Sequence, residues 1–490
     1  MNILGISAGF HDAAISVIDN KGNILFAGHS ERYSKFKNDD HISPDLLKDI
    51  EHYDIGTIAY YEIPWKKQLR RLYSGEGLEW SRITANQCVK NEFKNKYKCP
   101  VYSFDHHLSH AAAGFQTSPY DRATVVVIDA IGEWDTISIY GAQYDSRGYA
   151  HYKKLWSQKY PHSIGLFYSA MTQRVGLKPN EDEYILMGMS AYGRTGYAAE
   201  MQDAFVQNEW DITFTHNFHA GTDEDFMKGI HDADIATAAQ KNVETLIYNV
   251  MRRARDFKWS NNLVYMGGVA LNCLANRNLG EYFENVWIMP NPGDAGSSLG
   301  AAALQYGRRL NWVNAYLGHN IPGPYPVTPV LDTLLSHGIC GVASGRAEFG
   351  PRALGNRSLL ADPRGKDIKD RVNEIKQRQK FRPFAPVILE EMADQYFEFY
   401  PGWNTSRYMQ SVARCRDPDS FPAICHVDGT SRVQTVPRDG SGIRELLEKW
   451  FLMTDCPMLL NTSLNIKGEP MVNDRADADR FEKKYKIKVF

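Results

Sequence analysis

Two histidines and two aspartates in this chain have the types and settings of metal ligands. His106 and His110 lie four residues apart in DHHLSHAAAGF, residues 105–115, so a helix would place both imidazoles on one face. Asp129 ends the apolar run VVVID, and Asp294 follows MPNPG just before a run of small residues. Two imidazoles and two carboxylates favour iron, manganese or zinc over magnesium. The alternative is a histidine pair on a solvated helix face.

A second polar pair stands close to the start of the sequence. His11 and Asp12 occur in GISAGFHDAA, where a predicted strand over ILGIS gives way to a turn that contains glycine. Residues 3–31 read as three short strands, and residues 125–156 repeat that plan. The repeat resembles the actin-like ATPases, whose two halves hold a nucleotide between them, and it predicts a duplicated α/β domain. Two unrelated hairpins are the alternative.

Stretches rich in glycine and arginine predict sites for anions. YMGGVALN, residues 265–272, is a strand followed by two glycines and a helix, so backbone N–H groups can approach a phosphate. Beyond residue 330, lysines and arginines stand among apolar residues and glycines, where phosphate binding explains them better than simple solvation. Structural salt bridges are the alternative. These cations are Arg346, Arg352, Lys376, Arg378, Arg382 and Arg432.

The composition is that of a globular protein without a membrane segment. The chain has 490 residues, of which 43 % are hydrophobic and 23 % are charged, and its net charge is −2. No apolar run reaches the length of a membrane span, and the first residues lack a signal-peptide pattern. Seven cysteines without a CxxC motif predict reduced thiols. We therefore expect a cytoplasmic protein.

Together these motifs resemble the NodU/CmcH family of O-carbamoyltransferases. The family's motifs occur in order as GFHDAA, HHLSHA, VVVIDAIGE, MGMSAYG, GGVALN, NPGDAGSSLGAA, GRAEFGPRALGNRS, FRPFAP, GTSRVQTV and NTSLN. The resemblance implies an α/β protein in which a duplicated actin-like (ASKHA/RNase H-like) domain precedes a YrdC-like α/β domain. We expect the actin-like carbamoyl-transfer domain over 1–322 and the YrdC-like domain, which would form carbamoyladenylate, over 323–490.

The resemblance also implies a reaction and its residues. The second domain would form carbamoyladenylate from carbamoyl phosphate and ATP with Mg²⁺, and the first would pass the carbamoyl group to an acceptor hydroxyl. His106, His110, Asp129 and Asp294 would bind a divalent metal, with iron as the first expectation, and would help to polarise the adenylate phosphate. Either His11 or Asp12 would accept the hydroxyl proton. The nucleotide or adenylate residues of the first domain would be Gly267, Gly268 and Asn272. The carbamoyl phosphate and ATP residues of the second would be Arg346, Arg352, Lys376, Arg378, Arg382, Arg432, Ser463 and Asn465.

One basic segment bears on the acceptor. Residues 65–98 hold nine lysines and arginines against three glutamates, and Trp65, Tyr73 and Trp80 stand among them. Such a segment could follow a phosphate backbone and stack bases, which makes a hydroxymethylated base in DNA or a nucleotide one expected acceptor. A solvated helix and loop is the alternative for the segment. A sugar or an antibiotic-like hydroxyl is the alternative for the acceptor.

Two other classes of protein stay open at this point. One is a modifier of transfer RNA of the threonylcarbamoyl type, and the other is a nucleotide-binding protein without catalysis. The wording of GRAEFGPRALGNRS and FRPFAP favours plain carbamoyl transfer over the first. None of the expected ligand positions is empty, which disfavours the second. The partners that we expect are ATP, carbamoyl phosphate and the acceptor, with no membrane; a homodimer is also considered.

Overall fold

The apolar runs of the sequence form strands, and the described chain divides into two units. A computed structural model describes residues 1–94, 96–365, 367–440 and 442–490. The first unit comprises Met1–Ser30 and Asn38–Val313, and the second comprises Glu31–Lys37 and Asn314–Phe490. The short segment Glu31–Lys37 therefore belongs with the second unit, although sequence of the first unit flanks it on both sides.

The strands and helices follow the apolar periodicities of the sequence. The strands are β1 (Asn2–Ser7), β2 (Ala14–Ile18), β3 (Ile24–His29), β4 (Ile55–Tyr60), β5 (Val101–Ser103), β6 (Arg122–Gly132), β7 (Asp135–Tyr144), β8 (Ala150–Lys159), β9 (Val206–Asn208), β10 (Thr213–Phe214), β11 (Asn262–Met266), β12 (Asn285–Trp287), β13 (Tyr316–Ile321), β14 (Ile339–Ala343), β15 (Gly345–Glu348), β16 (Arg357–Ala361), β17 (Ala385–Leu389), β18 (Phe397–Phe399), β19 (Ala413–Cys415), β20 (Thr430–Ser431), β21 (Gln434–Val436) and β22 (Met458–Ser463). The helices are α1 (Glu31–Ser34), α2 (Pro64–Tyr73), α3 (Ala85–Phe93), α4 (His106–Thr117), α5 (Ile164–Arg174), α6 (Glu183–Met189), α7 (Ala198–Phe205), α8 (Asp232–Asp256), α9 (Cys273–Asn276), α10 (Ser297–Tyr306), α11 (Val327–His337), α12 (Ile368–Lys376), α13 (Ala393–Tyr396), α14 (Gly442–Thr454) and α15 (Arg475–Tyr485).

The two main sheets of the first unit share one topology. The first sheet has the order β3-β2-β1-β4-β5, in which β1, β2 and β3 form an antiparallel meander while β4 and β5 continue parallel to β1. The second sheet has the order β12-β11-β6-β7-β8, with an antiparallel meander from β6 to β8 and parallel strands β11 and β12. This repeat confirms the predicted duplicated α/β fold.

Two helices pack closely between these sheets. Helix α4 packs on β6 and β11, α10 packs on β1 and β2, and the two helices contact each other. A Cβ atom on Gly300 of α10 would lie 1.8 Å from the Ser109 carbonyl oxygen of α4. A Cβ atom on Gly5 of β1 would lie 1.9 Å from the Ser298 carbonyl oxygen of α10. Glycine is therefore required at both contacts, which bring the start of α4 close to the turn before α10.

The second unit is built around a separate mixed sheet. Its order is β14-β16-β22-β17-β21, antiparallel except for the parallel pair β17 and β21. Helices α11 and α14 pack on one face, where Leu334 and Trp450 are buried. Helices α12 and α15 pack on the other face, where Val372 and Phe481 are buried. The sheet thus has an apolar core on each side, which explains why most residues of its strands are buried.

Within the described ranges, no helix combines the length and the apolar character that a membrane crossing requires.

Candidate functional site

The start of α4 presents two imidazoles on one face of the helix. Asp105 precedes the helix, and its side chain accepts a hydrogen bond from the Leu108 backbone N–H at 3.3 Å, which fixes the helix start. His106 and His110 follow on the same face, and their Nε2 atoms lie 3.1 Å apart. Both histidines are buried. The two imidazoles therefore share one face of the helix, as predicted, and that face is buried.

Two carboxylates from different parts of the first unit meet these imidazoles. Asp129 lies on β6, and its Oδ2 is 3.3 Å from Nε2 of His106 and of His110. Asp294 begins a single 3-10 turn before α10, and its Oδ1 is 3.3 Å from His106 Nε2 and 3.2 Å from His110 Nε2. One ligand atom from each residue lies within 4.8 Å of the other three. The four residues predicted from the sequence thus converge on one point.

The donor set and its hydrogen bonds suit a divalent metal. His110 Nδ1 lies 3.0 Å from the Pro292 carbonyl oxygen, so Nδ1 carries the proton and Nε2 presents its lone pair to the carboxylates. Burial opposes charge on these groups, but the carboxylates of Asp294 and Asp129 raise the pKa of His106, and the imidazoles lower the pKa of Asp129. Two nitrogen and two oxygen donors match iron, manganese or zinc.

His11 and Asp12 lie in the turn between β1 and β2, beside this cluster. Asp12 has a φ of 55°, a left-handed conformation that is uncommon outside glycine. His11 Nδ1 is 3.0 Å from Asp12 Oδ2, and His11 Nε2 is 3.9 Å from Asp294 Oδ2. Although burial acts to lower it, the hydrogen bond to Asp12 and the charges of Asp294, Asp12 and Asp129 raise the pKa of His11 to about 9. The turn therefore brings a titratable pair to the edge of the cluster.

The glycine-rich segment after β11 also reaches the cluster. The Gly268 N–H donates to Asp129 Oδ1 at 3.2 Å, which supports that carboxylate from the side opposite the histidines. Gly267 has a φ of 91°, which explains the glycine at this position. Asn272 exchanges two side-chain hydrogen bonds with Gln240, each 3.0 Å long. Asn272 is therefore held in place by the protein, and its nucleotide contact stays a prediction.

A pocket opens next to the histidines. It has a volume of about 210 Å³, and its wall includes His106 together with Ala130 and Ile131, which follow Asp129 on β6. Three cations and three carboxylates also line it, and the remaining wall is largely apolar. These charged residues are Glu62, Lys67, Arg70, Arg71, Glu76 and Glu133. A small molecule in this pocket would lie against the candidate metal ligands.

The basic residues of α2 are paired with carboxylates. Lys67 Nζ lies 3.0 Å from Glu62 Oε1, and both side chains are buried. Arg70 is ion-paired with Glu76. Lys66 lies 3.4 Å from Asp105 and 3.7 Å from Glu133, and Arg71 lies 2.9 Å from Glu79. The free basic surface that would follow a phosphate backbone is therefore not formed by these four residues.

Sequence reasoning missed Glu133, which joins two helix starts. Its Oε1 accepts hydrogen bonds from the Ile63 N–H at 2.5 Å and from the His106 N–H at 3.3 Å. These N–H groups stand at the beginnings of α2 and α4, so one carboxylate supports both helices. Burial, followed by repulsion from Asp105, raises the pKa of Glu133 to about 7. The only sequence signal is that Glu133 lies within VVVIDAIGE, four residues after Asp129.

The C-terminal end of β22 brings together three of the predicted residues of the second unit, namely Lys376, Ser463 and Asn465. Lys376 ends α12, and Ser463 ends β22. Lys376 Nζ donates to the Ser463 carbonyl oxygen at 2.7 Å and to the Asn465 side-chain oxygen. Burial, followed by repulsion from three neighbouring cations, holds the pKa of Lys376 well below its usual range. These cations are Arg378, Arg382 and Lys37. Repelling cations around a buried amine favour an anionic ligand.

Three further predicted cations of the second unit lie on separate parts of the chain. Arg346 lies on β15, and its Nη2 donates to the Leu317 carbonyl oxygen at 2.5 Å. Arg352 is half-buried in the loop between β15 and β16. Arg432 is half-buried between β20 and β21. The structure thus gathers Lys376, Ser463 and Asn465 by direct contacts, whereas these three arginines are distributed over one strand and two loops.

Family models of known proteins match both units. The model described as "Carbamoyltransferase N-terminus" matches residues 59–303, and the one described as "Carbamoyltransferase C-terminus" matches residues 331–490. The candidate metal ligands all lie within the first match. Lys376, Ser463 and Asn465 lie within the second. The two matches together cover most of the chain.

Relatives align over nearly the whole chain. An uncharacterized protein of Synechocystis sp. is 31 % identical, with 98 % of this chain and 94 % of that protein covered. The nodulation protein NolNO of Sinorhizobium fredii is 29 % identical over 96 % of this chain and 76 % of its own length. The nodulation protein NolO of Bradyrhizobium diazoefficiens is 31 % identical over 76 % of this chain and 75 % of its own length. With two family models and these relatives in agreement, the chain belongs to the carbamoyltransferase family and is an enzyme of that family.

Proposed function

We propose that this enzyme forms carbamoyladenylate from carbamoyl phosphate and ATP and transfers the carbamoyl group to an acceptor hydroxyl. The observation that carries the proposal is the convergence of His106, His110, Asp129 and Asp294 beside His11. This arrangement offers a metal site, a titratable pair and a small pocket in one unit. The second unit offers a separate cluster of cations, which suits the phosphorylated substrates of the first step.

Adenylate formation is assigned to the second unit. Carbamoyl phosphate reacts with water to give carbamate and phosphate, and a carbamate oxygen then attacks the α-phosphorus of ATP and displaces pyrophosphate. Lys376, held between Ser463 and Asn465 at the end of β22, presents its amine to the phosphate oxygens, and the bound anion favours the protonated amine. Arg378 and Arg382 add charge at the same place. Binding an anion relieves the repulsion among these cations, which favours substrate in the site.

Carbamoyl transfer is assigned to the first unit. The acceptor enters the pocket beside His106, and its hydroxyl oxygen attacks the carbamoyl carbon of the adenylate while the bond to the AMP oxygen breaks. The hydroxyl proton passes to the His11–Asp12 pair, in which one residue accepts it and the other orients its partner. Gly268 keeps Asp129 in place during this step through its backbone N–H.

A divalent metal suits this site, since two imidazoles and two carboxylates face one point and Pro292 fixes the His110 tautomer. His106, His110, Asp129 and Asp294 would hold it, and it would supply Lewis-acid polarisation of the adenylate phosphate. Iron is the first candidate, and manganese and zinc offer the same donor preference. Mg²⁺ would accompany ATP in the second unit.

The acceptor is proposed to be a small-molecule hydroxyl. The basic segment 65–98, which suggests a DNA acceptor, has four cations on α2, and a carboxylate pairs with each of them. These cations are Lys66, Lys67, Arg70 and Arg71. Cations that already have partners displace few counterions from a phosphate backbone. The sugar or antibiotic-like hydroxyl, which the resemblance offers as the alternative, needs no free basic surface.

The test is a reaction that reports both steps. The protein is incubated with ATP, carbamoyl phosphate and a panel of alcohols, nucleosides and DNA carrying hydroxymethyl bases. Release of pyrophosphate that depends on carbamoyl phosphate reports adenylate formation, and mass spectrometry detects a carbamoyl gain on the acceptor. Both signals are expected. Pyrophosphate release that is independent of carbamoyl phosphate, in protein replete with iron, manganese or zinc, would contradict the proposal.

A further inference from the structure

We propose that the inward face of α2 selects uncharged acceptors and excludes phosphorylated ones. The inference rests on the proposed function, and it names the residues that decide which hydroxyl reaches the transfer site. These residues are the two ion pairs Glu62–Lys67 and Glu76–Arg70. They act by leaving the acceptor pocket without net charge.

The position of the pairs gives them access to the acceptor. All four side chains line the pocket that His106 also lines. Helix α2 begins where Glu133 holds the Ile63 N–H, and the same carboxylate holds the His106 N–H. The helix that carries Lys67 and Arg70 is thus fixed relative to the candidate metal ligands. An acceptor placed for transfer must therefore pass these two pairs.

The charges of the pocket cancel locally. Lys67 Nζ lies 3.0 and 3.1 Å from the two oxygens of Glu62, so one carboxylate balances the charge of the lysine. Arg70 and Arg71 both face Glu76, which also accepts a hydrogen bond from Ser74 at 2.6 Å. Glu62, Lys67 and Arg70 are buried, whereas Glu76 is exposed, so water screens the Glu62–Lys67 pair less than the Glu76–Arg70 pair. A phosphate in this pocket would place its charge beside these carboxylates or displace one of them from its cation.

A hydroxyl can be recognised without breaking either pair. It donates to a free lone pair of a carboxylate and accepts from a cation, because both partners retain hydrogen-bonding capacity after pairing. The apolar part of the wall, with Phe10, Tyr61 and Phe218, can cover the carbon face of the same molecule. The pocket therefore suits a group that is uncharged, bears hydroxyls and has an apolar face.

The pocket also limits how much of the acceptor enters. Its volume of about 210 Å³ is below the range of roughly 300–1,000 Å³ for sites that enclose a drug-sized ligand. One ring with its hydroxyls can enter, and the rest of a larger acceptor stays outside. The selection we propose acts on this one ring and not on the whole acceptor.

The test compares matched pairs of acceptors. The panel holds two alcohols, methyl glucoside and glycerol, each both free and as a phosphate monoester whose phosphate is on the same ring or chain as the reacting hydroxyl. Wild type should carbamoylate uncharged members at least about tenfold more efficiently than their phosphate esters. The variant Glu76→Gln, and the double variant with Glu62→Gln, should reduce that preference by roughly tenfold, because a cation is then free for the phosphate. Glu76 is the more exposed of the two, so its single variant tests the proposal even if the double variant fails to fold.

Two controls separate this proposal from the proposed function. Glu51→Gln also removes a carboxylate partner from a lysine, Lys96, but on the exposed surface, and it should leave the preference unchanged. Pyrophosphate release should be equal in all variants, and its absence in wild type would refute the proposed function instead. Crystals soaked in sulfate then test directly, without catalytic turnover, whether an anion binds at Arg70. Sulfate on Arg70 in wild type, or efficient carbamoylation of phosphate esters by wild type, would overturn the proposal; sulfate on Arg70 only in Glu76→Gln would support it.

Discussion

At the scale of single residues, one hydrogen bond decides how His110 faces the cluster. The Pro292 carbonyl oxygen accepts the Nδ1 proton, so Nε2 is left to face Asp129 and Asp294. His106 reaches the same two carboxylates from one turn earlier on α4. The orientation of His110 is therefore fixed by the protein and does not depend on solvent.

Replacing His110 with alanine should weaken metal binding by at least about 100-fold, since even the loss of a partner that merely supports a ligand costs roughly 10- to 100-fold. Elemental analysis of the purified variant measures the loss, and carbamoyl transfer should fall with it. His151→Ala is the matched control, because His151 is an exposed histidine of the same unit that pairs with Asp145. Full metal content and undiminished transfer in the His110 variant would contradict the assignment of His110 as a metal ligand.

The residue scale also shows what the sequence can and cannot predict. The spacing of His106 and His110 predicts a shared helix face, and the strand end at Asp129 predicts a carboxylate at a sheet edge. Glu133 has no comparable signature, because it binds the N–H groups of residues 27 and 70 positions away. Its left-handed φ of 54° is set by that tertiary role and not by local preference.

At the scale of elements, α2 reverses the usual orientation of an amphipathic helix. Trp65, Leu69 and Leu72 are exposed, while Lys67 and Arg70 are buried against the pocket. A sequence pattern identifies the two faces of such a helix but not which one faces inward, and apolar residues face inward as a rule. The alternative interpretation of this segment, a solvated helix and loop, therefore does not hold for Lys67 and Arg70, which are buried.

The reversed orientation predicts a stability effect. Replacing the four paired cations of α2 with glutamine should lower the free energy of unfolding by about 3 kcal/mol or more, because the buried carboxylate of Glu62 loses its partner Lys67. Denaturant unfolding of the first unit measures it. These cations are Lys66, Lys67, Arg70 and Arg71.

The matched control for that experiment is the exposed lysine set around α3. Replacing those lysines with glutamine should change stability by only about 0.5 kcal/mol per site. An equal loss in both variants would show that burial of the α2 pairs contributes nothing particular. The exposed lysines are Lys90, Lys94, Lys96 and Lys98.

Helix α12 gives a second prediction at this scale. Arg378 follows the end of α12 and is held by Asn373 at 2.8 Å, so Arg378→Ala removes a cation next to Lys376 without unfolding the helix. Adenylate formation should fall at least about tenfold, while transfer from supplied carbamoyladenylate should persist. Arg371→Ala, on the exposed side of the same helix, is the control. Equal loss of both reactions in a folded Arg378 variant would contradict the division between the units.

At the scale of the whole molecule, the duplication was predictable and the assignment of Glu31–Lys37 was not. Each meander lies within a short stretch of sequence, so local patterns reveal it. By contrast, Arg32 donates to the Gly350 carbonyl oxygen at 2.7 Å, and Lys35 pairs with Asp477. Contacts across several hundred residues leave no periodicity, and the segment reads as an ordinary continuation of β3.

The charge balance of the molecule predicts how acceptor binding responds to salt. The net charge is −2, and the cations of the pocket are paired, so few counterions are available for release. Acceptor affinity should be nearly constant across a salt series. A nucleic-acid acceptor would instead lose roughly 0.7 to 0.9 log units of affinity per phosphate contact for each tenfold rise in salt. Such a slope, measured with DNA that carries hydroxymethyl bases, would restore the nucleic-acid hypothesis.

Because Glu31–Lys37 belongs to the second unit, its native contacts form later during protein synthesis than the sheets of the first unit can. The ribosome delivers this segment early, directly after β3, but Gly350 follows its partner Arg32 by 318 residues and Asp477 follows its partner Lys35 by 442 residues. The nascent first unit can complete its sheets while a charged stretch inside it waits without its final partners. Synthesis of Asp477, and not completion of the first unit, therefore sets the earliest moment at which Glu31–Lys37 can acquire all of these native contacts.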